Sequence, residues 1–266
     1  MTITSERILI TPEIAQQLLD KNKQNRPLNH MHVKHLAREM ESGRWKENGD
    51  TIRLSNDILI DGQHRLAACI SSKHSFHCMQ ISGLPDDAFD TVDCGRKRSP
   101  ADVLAVLGES HCSALGAALK FIERYMIGNI GAGTRMHYSN AEIPLFLKKH
   151  PQIKESVSFV AQTGTKRLIA GSVLTGLHYL FAKLDKEAAD EFVKKLIHGT
   201  DLKEGDAIYL LRERLVANSF SKARILPDYA AALAIKAWNF TRSGKTCKQL
   251  KYIDTGDSAE DFPLIR

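Results

Sequence analysis

Apolar residues recur at helical spacing over residues 13–20 and 29–42, with Asn29 placed as an N-cap for the second run. Two short apolar runs with β character follow at 51–54 and 58–60. Ser55-Asn56-Asp57 between them has hairpin chemistry. A helical pattern then covers about 63–72, and a further strand is predicted from Phe76 to Ile81. Leu84-Pro85-Asp86-Asp87 reads as a turn opening a short helix through Phe89.

After Pro100 the period changes to helical throughout. Apolar stripes mark 101–107, 113–126, 141–149, 153–160, 171–184, 186–197, 206–218 and 228–242, and no strand pattern interrupts them. Ser139-Asn140 with Glu142 is a helix-start signal, and Pro151 is tolerated in the first turn that follows. The chain therefore divides into an α/β segment at 1–100, an α-helical segment at 101–245 and a polar tail at 246–266. The fold class is α+β, with Phe262-Pro263-Leu264 as a docking end of the tail. No repeat of fixed period and no low-complexity stretch breaks this order.

Composition narrows the class. A 266-residue chain with 43% hydrophobic and 26% charged residues has the make-up of a globular protein. Its apolar runs are too short to span a bilayer, and the N-terminus has no signal-peptide pattern. The five cysteines are scattered, odd in number and never form C-x-x-C, which points to reduced thiols and a cytoplasmic protein. The net charge of +6 favours an anionic partner. Basic residues cluster at Arg96-Lys97-Arg98, at Lys166-Arg167, and at Lys236, Arg242, Lys245, Lys248 and Lys251.

The richest chemistry lies where the second short strand hands over to a helix, at Asp61-Gly62-Gln63-His64-Arg65. A helix N-terminus offers backbone N–H groups and a partial positive charge. A glycine there lets an anion approach the backbone, while His64 and Arg65 add donors, the physical recipe for holding a phosphate. The plainer alternative is a structural turn in which Asp61 caps the helix and Arg65 pairs with a carboxylate.

On these residues the chain resembles the ParB/sulfiredoxin superfamily, in its bacterial and phage branch with a D-G-Q-H-R motif. Asn25-Arg26-Pro27, followed by the helical run Val33 to Met40 and by Gly43, is similar to the first ParB box. The strand pair follows, and Asp61 to Arg65 occupy the place of G-E-R-R in ParB and G-C-H-R in sulfiredoxin. The likeness covers roughly residues 7–100. It implies a small nucleotide- or phosphate-binding domain, with NTP (ATP or CTP) and Mg2+ as cofactors. The phosphate-binding residues it implies are Gly62, Gln63, His64, Arg65, Asn25 and Arg26. His64, Arg65 and Asp61 carry the catalytic expectation: His64 as acid/base, Arg65 as charge neutraliser, Asp61 as cap or Mg2+ helper. Gln63 stands where ParB has glutamate and sulfiredoxin has cysteine, so sulfinic-acid repair is not expected.

Asp90 and Asp93, followed by Gly95 and Arg96-Lys97-Arg98, form a second constellation. The aspartates are candidate metal ligands, and Arg96, Lys97 and Arg98 candidate contacts to phosphate or nucleic acid. Other motifs fail on spacing. Ser243-Gly244-Lys245-Thr246 imitates the end of a P-loop, but Asn239 stands where its first glycine belongs. Gly128, Gly131 and Gly133 do not make a dinucleotide fingerprint. His30, His32 and His35 read as helix-surface histidines. The leading expectation is a nucleotide-binding enzyme performing NTP hydrolysis or phosphoryl transfer, linked to DNA metabolism or a mobile element. The alternatives are a non-catalytic DNA-binding module and a metal-dependent nuclease. A nucleotide, DNA and self-association are the expected partners.

Overall fold

The computed structural model describes residues 2–23, 25, 27–85, 88, 99–128, 130, 138–163, 168–221, 225–256 and 258–266. The protein is α+β, with a four-stranded sheet and eleven helices among the described residues. It separates into two compact units, Met1–Lys97 and Arg98–Arg266, each with its own apolar core.

In the first unit the order is β1 (Thr4–Ile10), α1 (Pro12–Asp20), α2 (His30–Glu41), β2 (Thr51–Ser55), β3 (Ile58–Asp61), α3 (Gln63–Ser72) and β4 (Phe76–Leu84). The sheet order is β1-β4-β2-β3, with β2 and β4 parallel and the other neighbours antiparallel. Asn56 and Asp57 take left-handed φ values of 44° and 63°, the conformation a two-residue hairpin turn requires. Thr11 caps α1 and Asn29 caps α2, each accepting from a backbone N–H in its helix's first turn. Helices α1 and α2 both pack on α3, so Ala15, Leu18, Val33, Ala37, Leu66 and Cys69 share one core with Ile52, Leu59 and Phe76.

Strand β1 was not expected from the sequence. It is an edge strand, mostly exposed, with its inward residues only at Ile8 and Ile10, so it shows no alternation over its length. Strand β4 also runs to Leu84, three residues past the expected end. Of the short helix expected at 84–89, Asp86, Asp87 and Phe89 lie outside the described residues.

The second unit comprises α4 (Pro100–Val106), α5 (Cys112–Met126), α6 (Glu142–Lys149), α7 (Ile153–Gln162), α8 (Gly171–Ala182), α9 (Lys186–His198), α10 (Ala207–Ser219) and α11 (Pro227–Arg242). Helix α8 is its axis: every residue from Val173 to Phe181 is buried, and α5, α7, α9 and α11 pack around it. Phe181 stacks on Trp238 with ring centroids 4.2 Å apart. The tail, expected as a polar extension with a docking end at Phe262-Pro263-Leu264, is tied onto this unit, and Phe262 packs against its core. Leu250 and Tyr252 are buried in the core, and Trp238 Nε1 donates to the Arg266 carbonyl at 3.1 Å. Asn239 Nδ2 donates to the Leu264 carbonyl at 2.8 Å, and the Ile265 N–H donates to the Tyr125 hydroxyl at 2.8 Å. No helix among the described residues is long and apolar enough to cross a membrane.

Candidate functional site: the strand-to-helix turn at Gly62

Strand β3 ends at Asp61 and α3 begins at Gln63, so Gly62 alone makes the joint. Its φ of +105° is left-handed, which only glycine adopts without strain. A Cβ there would also lie 2.3 Å from the Ile52 Cδ1 atom, which is fully buried. The glycine is thus demanded by the turn itself, whatever the turn binds. Asp61 does not cap α3. The N-cap position is Gly62, which brings no side chain, and no acidic residue stands in the first turn.

Arg65 lies in the first turn of α3, and its side chain is only 13% exposed. Its Nη2 donates to Asp61 Oδ2 at 3.0 Å, and its Nη1 lies 3.6 Å from Asp50 Oδ2. The two carboxylates differ in setting: the Asp61 side chain is 17% exposed and the Asp50 side chain 58%. Asp61 is therefore a partly desolvated partner that orients the guanidinium, and Asp50 a longer, solvated contact.

The polar loop between α1 and α2 lies against this joint. Asn22 Nδ2 donates to the buried Gln63 Oε1 at 3.0 Å. Asn25 Nδ2 reaches both Asn22 Oδ1 at 2.8 Å and the Leu59 carbonyl at 2.7 Å, clasping the loop to β3. The Asn29 N–H donates to His64 Nε2 at 3.1 Å. In that bond Nε2 is the acceptor. His32 joins the group from α2, its ring centroid 5.2 Å from that of His64.

Two sequence motifs about forty residues apart thus meet: the Asn25 element and the Gln63–Arg65 turn. Asn22, Asn29, His32 and Asp50 belong to the same neighbourhood and were not foreseen as site residues. The repeated asparagines at 22, 25 and 29 were the available signal. Arg26, Asp90, Asp93, Arg96, Lys97 and Arg98 lie outside the described residues. Cys69 and Cys78 of the same unit are buried thiols. Burial pushes Cys69 up to about 11, and burial also raises Cys78 against the opposing charge of Arg65.

No family model, curated protein or solved structure matches the chain. The geometry of the turn and the residues quoted above therefore carry the functional argument.

Proposed function

We propose that the Asn22–Asn25 loop and the Gly62–Arg65 turn form an anion site for the phosphates of a nucleotide, ATP or CTP, in a ParB/sulfiredoxin-like N-terminal domain. The observation that carries this reading is the clasp of the asparagine loop onto the turn, through Asn22–Gln63, Asn25–Leu59 and Asn29–His64. It gathers amide, imidazole and guanidinium donors at the N-terminus of α3, where the helix contributes its own partial positive charge.

The two carboxylates on Arg65 give it a graded release. A phosphate displaces the solvated Asp50 contact at 3.6 Å, while Asp61 at 3.0 Å keeps the guanidinium aimed. His64 is held to the asparagine loop through its Nε2, which accepts from the Asn29 N–H. Protonating Nε2 would sacrifice the Asn29 bond. Asp61 does not fit the Mg2+ role, because Oδ2 is engaged by the Arg65 cation, and the other metal candidates Asp90 and Asp93 lie outside the described residues. NTP hydrolysis or phosphoryl transfer is the reaction class this donor set serves, through charge neutralisation on the transferred phosphoryl group. Of the described cysteines, Cys69, Cys78, Cys112 and Cys247 are free thiols, which accords with a cytoplasmic setting.

The test is a thermal-shift series with ATP, CTP, GTP, UTP, ADP and inorganic phosphate, each with and without Mg2+. A nucleotide at about 100 times its dissociation constant stabilises the fold by about 2.7 kcal/mol, read as a raised Tm. Arg65→Lys keeps the charge beside Asp61 but loses the planar fork. It should weaken binding by about tenfold or more, since a charge-assisted hydrogen bond contributes roughly 1.5–3 kcal/mol. Wild-type protein that no nucleotide or phosphate shifts, or an Arg65→Lys variant that binds as wild type does, overturns the assignment.

A further inference from the structure

The second unit holds an open cleft of about 690 Å3 between the C-terminal end of α11 and the returning tail. Among the described residues its lining holds five cationic side chains and one side-chain carboxylate, together with Phe240 and the amides of Asn239 and Gln249. The carboxylate, Glu260, is already taken by Lys236, whose Nζ also donates to the Lys251 carbonyl at 2.7 Å. The charge left facing the cleft is therefore cationic, from Arg242, Lys245, Lys251 and Arg266. Among the described residues none of these four side chains forms an ion pair. Asp254 and Asp261 lie near enough to raise Tyr252, after burial itself, but neither lines the cleft.

The frame behind these cations is fixed. Asn239 grips the tail from both sides, donating to the Leu264 carbonyl at 2.8 Å and accepting from the Arg266 N–H at 2.9 Å. The Arg242 guanidinium rests 5.5 Å from the centre of the Trp238 ring. The Ser243–Thr246 segment that fails as a P-loop thus has a different place, since Ser243 and Lys245 line the cleft.

We propose that this cleft binds a single-stranded nucleic acid, with Arg242, Lys245 and Lys251 on its phosphates and Phe240 against a base. Charge complementarity selects a polyanion, and the half-buried Phe240 ring selects one with flat apolar faces. Cationic grooves with an aromatic platform hold single strands in this way. Concavity selects a strand over a duplex, because duplex recognition inserts a protein helix or ribbon into the nucleic acid's own groove. The site shares no residue with the nucleotide site of the first unit, so the two assignments stand or fall separately.

Fluorescence anisotropy with labelled oligodeoxythymidine and oligouridine, titrated at several salt concentrations against the full chain, tests it. Single strands should bind at low salt, more tightly than a duplex of equal length. Replacing Arg242, Lys245 and Lys251 together by alanine should flatten the log–log salt slope by about 2, from about 0.7 per phosphate contact on a single strand. Phe240→Leu should weaken binding about fivefold with the salt slope unchanged, the signature of lost stacking. The triple variant must melt at the wild-type temperature. If it does not, the single reversal Lys245→Glu replaces it and should weaken binding at every salt concentration. No binding at low salt, duplex bound as tightly as single strand, or charge variants that bind like wild type each overturn the proposal.

Discussion

Gly62 has little freedom to change. Alanine there must adopt a φ of +105° and place its Cβ 2.3 Å from Ile52 Cδ1. The conformational strain alone costs roughly 1–3 kcal/mol, and the buried Ile52 must also shift. Gly62→Ala should therefore destabilise the first unit by that free energy, read in a urea titration as a lower denaturant midpoint with the m-value unchanged. A neutral substitution would mean that the turn relaxes and that its left-handed geometry is not required. The same residue shows what a sequence can disclose. A glycine between a β-like run and a helix-like run announced the joint, and Gln63, His64 and Arg65 announced donors. Their partners were not readable. Asn22 on Gln63, Asn29 on His64 and Asp50 near Arg65 are contacts across 41, 35 and 15 positions, and no local periodicity encodes them.

Among the elements, the helices were the most legible because most of them carry an apolar stripe at the helical period over two or more turns. Helix α8 shows the stripe widening into burial on all sides, the mark of a helix inside a bundle. Strand β1 escaped for the opposite reason, since an edge strand with most of its residues exposed has no face to alternate. Of the tail's anchors, Phe262 was legible as an apolar end, while Leu250 and Tyr252 are single residues in a polar run and were not. The tight packing of α8 on α5 yields a sharp expectation. A Cβ on Gly176 would fall 2.4 Å from the Phe121 Cδ1 atom, and Phe121 is itself buried. Ring atoms cannot fold aside as a flexible chain end can, so Gly176→Ala should force the two helices apart. The gain in helix propensity, about 1 kcal/mol, is smaller than the overpacking penalty of roughly 1–3 kcal/mol plus the lost contacts around Phe121. Thermal unfolding should show a lower Tm for Gly176→Ala, and Phe121→Leu in the same chain should recover part of the loss by making room. A Tm at or above wild type for the single variant would show that α5 and α8 are looser than this contact requires.

At the scale of the whole molecule, the second unit carries a built-in sensitivity to acid. His178 sits on α8, 2% exposed and stacked on Phe159 at 4.4 Å. Its Nε2 bonds Asp190 Oδ1 at 2.8 Å, while its Nδ1 has no hydrogen-bond partner. Desolvation lowers its pKa below the ordinary 6.5, even though Asp190 pulls the other way and Lys186 adds a smaller repulsion. The neutral ring donates from Nε2 to Asp190. Adding a proton at Nδ1 puts a charge into apolar surroundings with nothing to receive it. The unfolded chain then binds the proton more readily than the folded one. Stability is therefore full above pH 6.5 and falls as the pH drops from there through the lowered folded value. Asp190 does not open the same window: despite its own burial it is held below its usual range by Lys186 and His178, so its contribution is lost only at more acid pH. Replacing His178 by phenylalanine keeps a ring on Phe159 and leaves Lys186 on Asp190, at 2.8 Å in the parent. The variant should be less stable than wild type at pH 7, having lost the buried hydrogen bond, yet lose less on going to pH 5. Chemical denaturation at both pH values measures the difference. Parallel losses in the two proteins would show that acid acts through other groups and that the unpartnered Nδ1 is indifferent to its proton.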